Sequence, residues 1–197
     1  MKEQNILIVG VGGQGVVLAS NLLAEAALAG GFDVKKNDTL GMAQRGGSVV
    51  SHLRYGESVA SPLIPAGEAD VLIGFEKLEA ARWAHFLKPD GVAVVNDLAL
   101  PPLSVTLGTD TYPTDAELSS MLHRFTPQTH LVRGTATAEA LGNAKMVNTV
   151  LLGYAAKFLG IDAPLLMSTI EAALPQKLRR ANVAAFEAGQ KLSPLQR

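Results

Sequence analysis

The opening fifteen residues limit the possible folds more than any other stretch. The apolar run Ile6-Leu7-Ile8-Val9 leads directly into Gly10-Val11-Gly12-Gly13-Gln14-Gly15, and an Ala- and Leu-rich stretch then continues to residue 29. A strand that stops at a glycine-rich turn and restarts as a helix is the first unit of a wound α/β sheet. The glycines allow the tight turn, let backbone approach a ligand, and let the helix pack closely on the strand. The first amides of such a helix have no partner within it, and the helix dipole favours an anion beside them.

Strand and helix patterns keep alternating through residue 134, as expected for strands covered by crossover helices. Strands are expected over 4–9, 32–36, 48–55, 70–75, 92–96 and 129–132, and helices over 15–29, 76–87 and 114–124. Thr114 and Glu117 have capping-box spacing at the start of the last of these helices. A turn at Gly56-Glu57 with a short return near Val59 reads as a hairpin at the sheet edge. Residues 98–113, with Pro101, Pro102 and Pro113, have no helical period and read as a loop with one irregular strand around 104–107. After residue 135 only helical patterns remain, over 137–159, 164–174 and 176–189. The expected architecture is a single domain over 1–197 of α/β class. Its core at 1–134 is a Rossmann-like, mostly parallel sheet with helices on both faces, and 135–197 is a helical C-terminal portion of that domain.

Composition removes several classes of function. There is no cysteine, so disulfides, thiolate nucleophiles and cysteine-ligated iron–sulfur clusters are excluded from this chain. A net charge of −1 gives no electrostatic case for nucleic acid or an acidic membrane surface as partner. No run of eighteen apolar residues occurs, and a soluble cytoplasmic protein is expected. With 48% hydrophobic and only 18% charged residues, some apolar surface is expected to be covered by a partner.

The glycine loop is also defined by what it lacks. A phosphate-binding loop of the Walker type needs Lys followed by Ser or Thr after its last glycine, whereas Gly15 is followed by Val16-Val17. A dinucleotide site needs an acid at the end of the second strand, where the chain offers Lys35-Lys36-Asn37-Asp38. Asp38 fits that role, while the lysines before it suit an anion or an adenosine phosphate. A second glycine cluster, Gly41-Met42-Ala43-Gln44-Arg45-Gly46-Gly47-Ser48, sets Gln44 and Arg45 between glycines, as a compact donor loop for a carboxylate, a phosphate or a partner's main chain. Four readings are open: an NADP-dependent oxidoreductase, an adenylating enzyme lacking its usual cysteine, an anion-binding subunit, and an interaction subunit whose glycines only serve packing. His52, His85, His123 and His130 show no metal-ligand spacing. Glu76 and Asp97 follow strands as helix or turn caps, and Asn148 and Asn182 read as hydrogen-bond anchors in apolar helices.

Taken together, the motifs resemble the gamma-type subunit or domain of the pyruvate/ketoisovalerate 2-oxoacid:ferredoxin oxidoreductase family, with the greatest likeness in its indolepyruvate branch. The likeness is carried by GVGGQG with Val16 to Ser20, by GMAQRGGS with the strand after it, and by Ser61-Pro62-Leu63-Ile64-Pro65. It continues through Asn148 within VNTVLLG and through Asn182 with Ala185, Phe186 and Gly189, in order along nearly the whole chain. The resemblance implies a supporting subunit that binds no cofactor or metal and carries no catalytic residue. Thiamine diphosphate and the iron–sulfur clusters would lie on a larger partner subunit, which passes electrons to ferredoxin, with coenzyme A as co-substrate. On that view Gly10, Gly12, Gly13, Gln14, Gly15, Lys35 and Lys36 hold an anionic group such as a coenzyme A phosphate. Gln44, Arg45, Gly46, Gly47 and Ser48 face the partner or the substrate entrance, and Asn148 anchors a loop or the partner.

Overall fold

The structure, a computed structural model, describes residues 3–40 and 46–195. Its sheet has six strands: β1 (Gln4–Val11), β2 (Asp33–Leu40), β3 (Ser48–Gly56), β4 (Ala69–Gly74), β5 (Leu87–Asn96) and β6 (Thr129–Val132). They lie in the order β2-β3-β1-β4-β5-β6. The β1–β4, β4–β5 and β5–β6 pairings are parallel, whereas β3 runs antiparallel to both β1 and β2.

Ile6, Leu7, Ile8 and Val9 on β1 are all 0% exposed, so this strand is covered on both sides. Successive side chains on a strand point to opposite faces. Ile6 and Ile8 accordingly pack with α1 (Val16–Ala29), α6 (Val147–Ala155), α7 (Ala163–Ala173) and α8 (Gln176–Lys191). Leu7 and Val9 pack with α2 (Lys77–Trp83) and α4 (Asp115–His123) on the other face. The α/β architecture with helices on both faces is therefore present, and the C-terminal helices are the cover of one face.

Four local expectations are corrected. β3 does not turn at Gly56-Glu57 into a return strand: it pairs antiparallel with the edge strand β2 that precedes it and with β1, its residues are buried almost throughout, and Val59 N–H donates to Asp33 Oδ2 (2.8 Å). Residues 103–106 form a short helix, α3 (Leu103–Thr106), after an N-capping Pro102. Proline's fixed φ suits a helix start better than a strand. The long helix expected over 137–159 is divided into α5 (Gly134–Ala140), a 3₁₀ turn at Ala144–Met146, α6, and a second 3₁₀ turn at Ala156–Phe158. The first break falls where Gly142 adopts φ +94° and Asn143 Oδ1 accepts from Lys145 N–H (3.0 Å). The helix expected over 76–87 ends its α-helical part at Trp83 and finishes in a 3₁₀ turn, Ala84–Phe86.

The cover helices α6 and α8 touch backbone to backbone. A Cβ placed on Gly153 would stand 2.1 Å from the Phe186 carbonyl oxygen, and one on Gly189 would stand 2.1 Å from that of Val150. Beside this contact Thr149 Oγ1 donates to Asn182 Oδ1 (2.7 Å), and Asn182 Nδ2 donates to the Leu178 carbonyl (3.0 Å). The anchoring role expected of Asn182 is thus found between two helices of the same chain. Because neither backbone can yield locally, Gly153→Ala or Gly189→Ala is expected to cost about 2 kcal/mol or more, as overpacking does. The check is the urea midpoint, which should fall with an unchanged slope.

His52 on β3 is buried, and its Nδ1 accepts the Ile64 N–H (3.2 Å), a bond that needs the neutral ring. Burial holds its pKa below the ordinary value of 6.5, and the same cause, with Lys157 nearby, lowers that of His130. The unfolded chain then takes up protons before the folded chain does. Stability is therefore full above about pH 6.5 and falls as pH drops toward the lower folded values. Melting temperature is expected to decline from pH 7 to about 5, with a shallower decline in His52→Gln.

Candidate functional site

From β1 the chain crosses through α1 on one face toward β2. From β4 it crosses through α2 on the opposite face toward β5. The winding reverses between β1 and β4, and in such sheets a crevice for ligands opens there, outside the carboxyl ends of the strands. Here the crevice holds the side chain of Gln14. Its Oε1 accepts from Val11 N–H (2.7 Å), and its Nε2 donates to the Phe75 carbonyl (3.2 Å) just past β4. Gly10 is required by this arrangement, because a Cβ there would stand 2.7 Å from Gln14 Oε1, 2.8 Å from Phe75 Cβ and 2.9 Å from Val16 Cγ2.

The Phe75 carbonyl also accepts from Asn96 Nδ2 (3.0 Å) at the end of β5. Asn96 in turn reaches α5, with Nδ2 donating to Thr135 Oγ1 (2.8 Å) and Oδ1 accepting from Thr135 N–H (3.0 Å). Two carboxamides thus tie together the ends of β1, β4 and β5. Asn96 was not singled out from sequence, although a polar residue closing the apolar run Val92-Ala93-Val94-Val95 was a usable signal.

The two glycine clusters meet. Gly12 N–H donates to the Gly47 carbonyl (2.8 Å), so one amide of the first loop is already used. Next to it, the Ser48 hydroxyl donates to Glu79 Oε2 and accepts from Trp83 Nε1 (3.4 Å), while Arg82 holds Glu79 Oε1 (2.8 Å). Glu79 is 4% exposed and fastens the start of β3 to α2. It too was missed from sequence, where it looks like an ordinary acid in the first turn of a helix. Gly46 is described and has φ +80°. The expectations for Gln44 and Arg45 lie outside the described residues.

The part of the first loop left open is its far half. Gly13 and Gly15 have φ +100° and +87°, and α1 starts with no side-chain cap. Among the described residues nothing accepts a hydrogen bond from the Gly13 or Gly15 amide. Asn148, 5% exposed in the first turn of α6, lies against this point, its Nδ2 3.3 Å from where a Gly15 Cβ would be. Its Oδ1 accepts from Thr149 N–H (2.8 Å), while Nδ2 has no partner among the described residues. A shallow depression of about 320 Å³ runs past Val11, Gly13, Val16, Val17 and Val49. The chemistry on offer is backbone N–H groups at a helix start, set among valines.

Lys35 and Lys36 each lie beside an aspartate of their own strand. Lys35 pairs with Asp33 (2.7 Å), and Lys36 pairs with Asp38 and donates to Ser20 Oγ (3.2 Å). Asp38 also accepts from Ser51 Oγ (2.7 Å). The carboxylate that a ribose would need is therefore already engaged, and an antiparallel strand separates its strand from β1. Neither feature suits a dinucleotide. Glu76 is a helix cap, as expected, accepting from Glu79 N–H (2.8 Å). Among the described residues no three His, Asp or Glu side chains converge as metal ligands.

Comparison with known proteins agrees with this geometry. Residues 5–192 match the family described as pyruvate ferredoxin/flavodoxin oxidoreductase. The chain is 38% identical over 194 residues to the indolepyruvate oxidoreductase subunit IorB of Thermococcus kodakarensis, covering 97% of this chain and 96% of that one. It is 31% identical over 189 residues to the pyruvate/ketoisovalerate oxidoreductases common subunit gamma of Pyrococcus abyssi, covering 92% and 94%. The fold matches that of the pyruvate oxidoreductase subunit PORC from Thermotoga maritima with a TM-score of 0.74 at 23% identity, over 98% of both chains. With the family pattern running from β1 to the end of α8, this chain belongs to the pyruvate ferredoxin/flavodoxin oxidoreductase family.

Proposed function

We propose that this chain is the gamma-type subunit of a 2-oxoacid:ferredoxin oxidoreductase that acts on an aryl pyruvate such as indolepyruvate. The observation that carries this reading is the end-to-end 38% identity with a subunit named for indolepyruvate. The enzyme would decarboxylate the oxoacid, capture the acyl group on coenzyme A and pass the electrons to ferredoxin. With no cysteine in the chain to ligate an iron–sulfur cluster, the clusters are assigned to a larger partner subunit, thiamine diphosphate is assigned there with them, and the assembled enzyme is assigned to the cytoplasm. Among the described residues no helix is long and apolar enough to cross a membrane.

In this proposal the chain's own contribution is to cover the active-site cleft. The amides of Gly13 and Gly15 at the start of α1, with Asn148 Nδ2 beside them, receive an anionic group of coenzyme A. Gly10, Gly12 and Gln14 shape that loop from within, and Lys35 and Lys36, paired with Asp33 and Asp38, add positive charge on β2. The segment of Gln44, Arg45, Gly46, Gly47 and Ser48 faces the partner or the substrate entrance. A second reading, a purely structural subunit, is favoured by one observation: Gln14 and Gly47 satisfy part of the loop internally.

Co-purification with the larger subunit tests the main proposal. The chain alone is expected to be colourless and to give no ferredoxin reduction. The reconstituted enzyme should turn over indolepyruvate with coenzyme A, and turnover by the isolated chain would refute the proposal. Gly13→Asp, measured against Gly13→Asn, separates the two readings: both carry the backbone strain of φ +100° and a Cβ that meets nothing within 4 Å, but only the carboxylate would oppose an anion, so the effects are read relative to Gly13→Asn. If the loop holds coenzyme A, its KM should rise about tenfold, equivalent to about 1.4 kcal/mol, with assembly intact. An unchanged KM would mean that the loop is structural.

A further inference from the structure

The segment after α8 takes part in none of the roles above. Leu192 still packs with the helices on one face of the sheet. Three residues later, Leu195 N–H donates to the Leu131 carbonyl of β6 (2.8 Å), the last strand of the sheet. There Leu195 lies beside Leu118 and Leu122 of α4, on the opposite face. The chain therefore passes around the free edge of β6 and closes over the seam between α4 and the strands.

Under this strap is a cavity of about 120 Å³. Val95 and Leu131 line it from the sheet, Leu118 and Leu122 from α4, and Leu195 from the strap. Thr129, two residues before Leu131 on β6, points to the same face and lines the cavity too. Its Oγ1 is the one buried side-chain N or O among the described residues that has no hydrogen-bond partner. A buried hydroxyl left unpaired costs stability, and apolar walls with space between them forgo packing contacts. One occupant that fills the space and pairs with the hydroxyl would remove both costs.

The lining specifies the chemistry of that occupant. A cavity of about 150 Å³ lined by apolar side chains admits a benzene ring, so the space here suits a single six-membered ring. The ionic groups at the rim are engaged within the chain, Lys77 with Asp115 (2.7 Å) and Asp97 (3.4 Å), and His123 Nδ1 with the Ser119 carbonyl (2.8 Å). A charged ligand among the leucines would lose its water without gaining a counter-charge, which selects a neutral one. Threonine Oγ both donates and accepts, so one hydroxyl on the ring satisfies it. We propose that this cavity binds a neutral one-ring alcohol or phenol, with the ring between α4 and the sheet and its hydroxyl on Thr129 Oγ1. The inference does not rest on the subunit role proposed above.

The test is titration of the purified chain with phenol, cyclohexanol and toluene, followed by melting temperature and by amide NMR shifts in α4 and β6. Phenol or cyclohexanol should raise the melting temperature, because a ligand of the folded chain alone stabilises it. The tighter of the two tells an aromatic from an alicyclic ligand. In Thr129→Val, which keeps the shape and removes the hydroxyl, both should bind about fivefold more weakly, while toluene should be unaffected. Ser119→Phe, at the half-buried rim, should fill the space and abolish binding of all three probes. Without ligand, Thr129→Val should melt no lower than wild type, since the lost hydroxyl had no partner; a clearly lower value would show it already paired and overturn the site. Wild type that binds none of the probes up to their solubility would also overturn it. Alcohol binding that is unchanged in Thr129→Val, or lost in equal measure with toluene, would mean that the hydroxyl meets water rather than ligand, and the proposal would fall.

Discussion

The hydrogen bonds of Gln14 determine how the working edge of this fold is built. A wound α/β sheet diverges where its crossovers change direction, and the chain fills that divergence with one carboxamide that accepts from Val11 N–H and donates to the Phe75 carbonyl. Buried carbonyls need donors, and the Phe75 carbonyl receives a second one from Asn96. The strand ends are thereby locked together without a ligand. Gly10 gives the space this needs, and the Gly13 and Gly15 conformations carry the chain around the bridge. In a dinucleotide-binding sheet the same space would be left open.

Much of this could be read from the amino-acid sequence, because the fold is dominated by local signals. The continuous apolar runs of β1, β4 and β5 mark strands covered on both faces, and the Thr114 and Glu117 capping box is found as expected. The glycine loop is also where the pattern places it. Pairing partners were less legible. An apolar strand such as β3 carries no mark of its direction or its neighbours, so its position between β1 and β2 depends on long-range contacts. The division of the helix after residue 140 follows from a positive φ at Gly142, a choice the helical period alone does not reveal.

The candidate site shows the same division. Its glycines and Asn148 were identifiable as residue types that suit a tight loop and a buried anchor. That Gln14 turns inward, that Lys36 turns to Asp38 and Ser20, and that Glu79 fastens Ser48 depend on side chains whose partners lie far away in sequence. Such pairings follow from the fold and cannot be read from local spacing. They decide the chemistry here, since they engage the cations and the acid that a nucleotide reading would need.

The antiparallel course of β3 has a consequence for how the edge responds to load. In an all-parallel sheet each loop on the carboxyl edge leaves its own strand and is separated from the next by a crossover. Here the connection from β2 returns directly beside β1, so a strand begins where the others end, and Gly47 meets Gly12 through one main-chain hydrogen bond. The two glycine segments are thus mechanically in series. A neighbouring surface that shifts Gly47 therefore acts on Gly12 through a direct main-chain hydrogen bond of 2.8 Å, with no side chain between them.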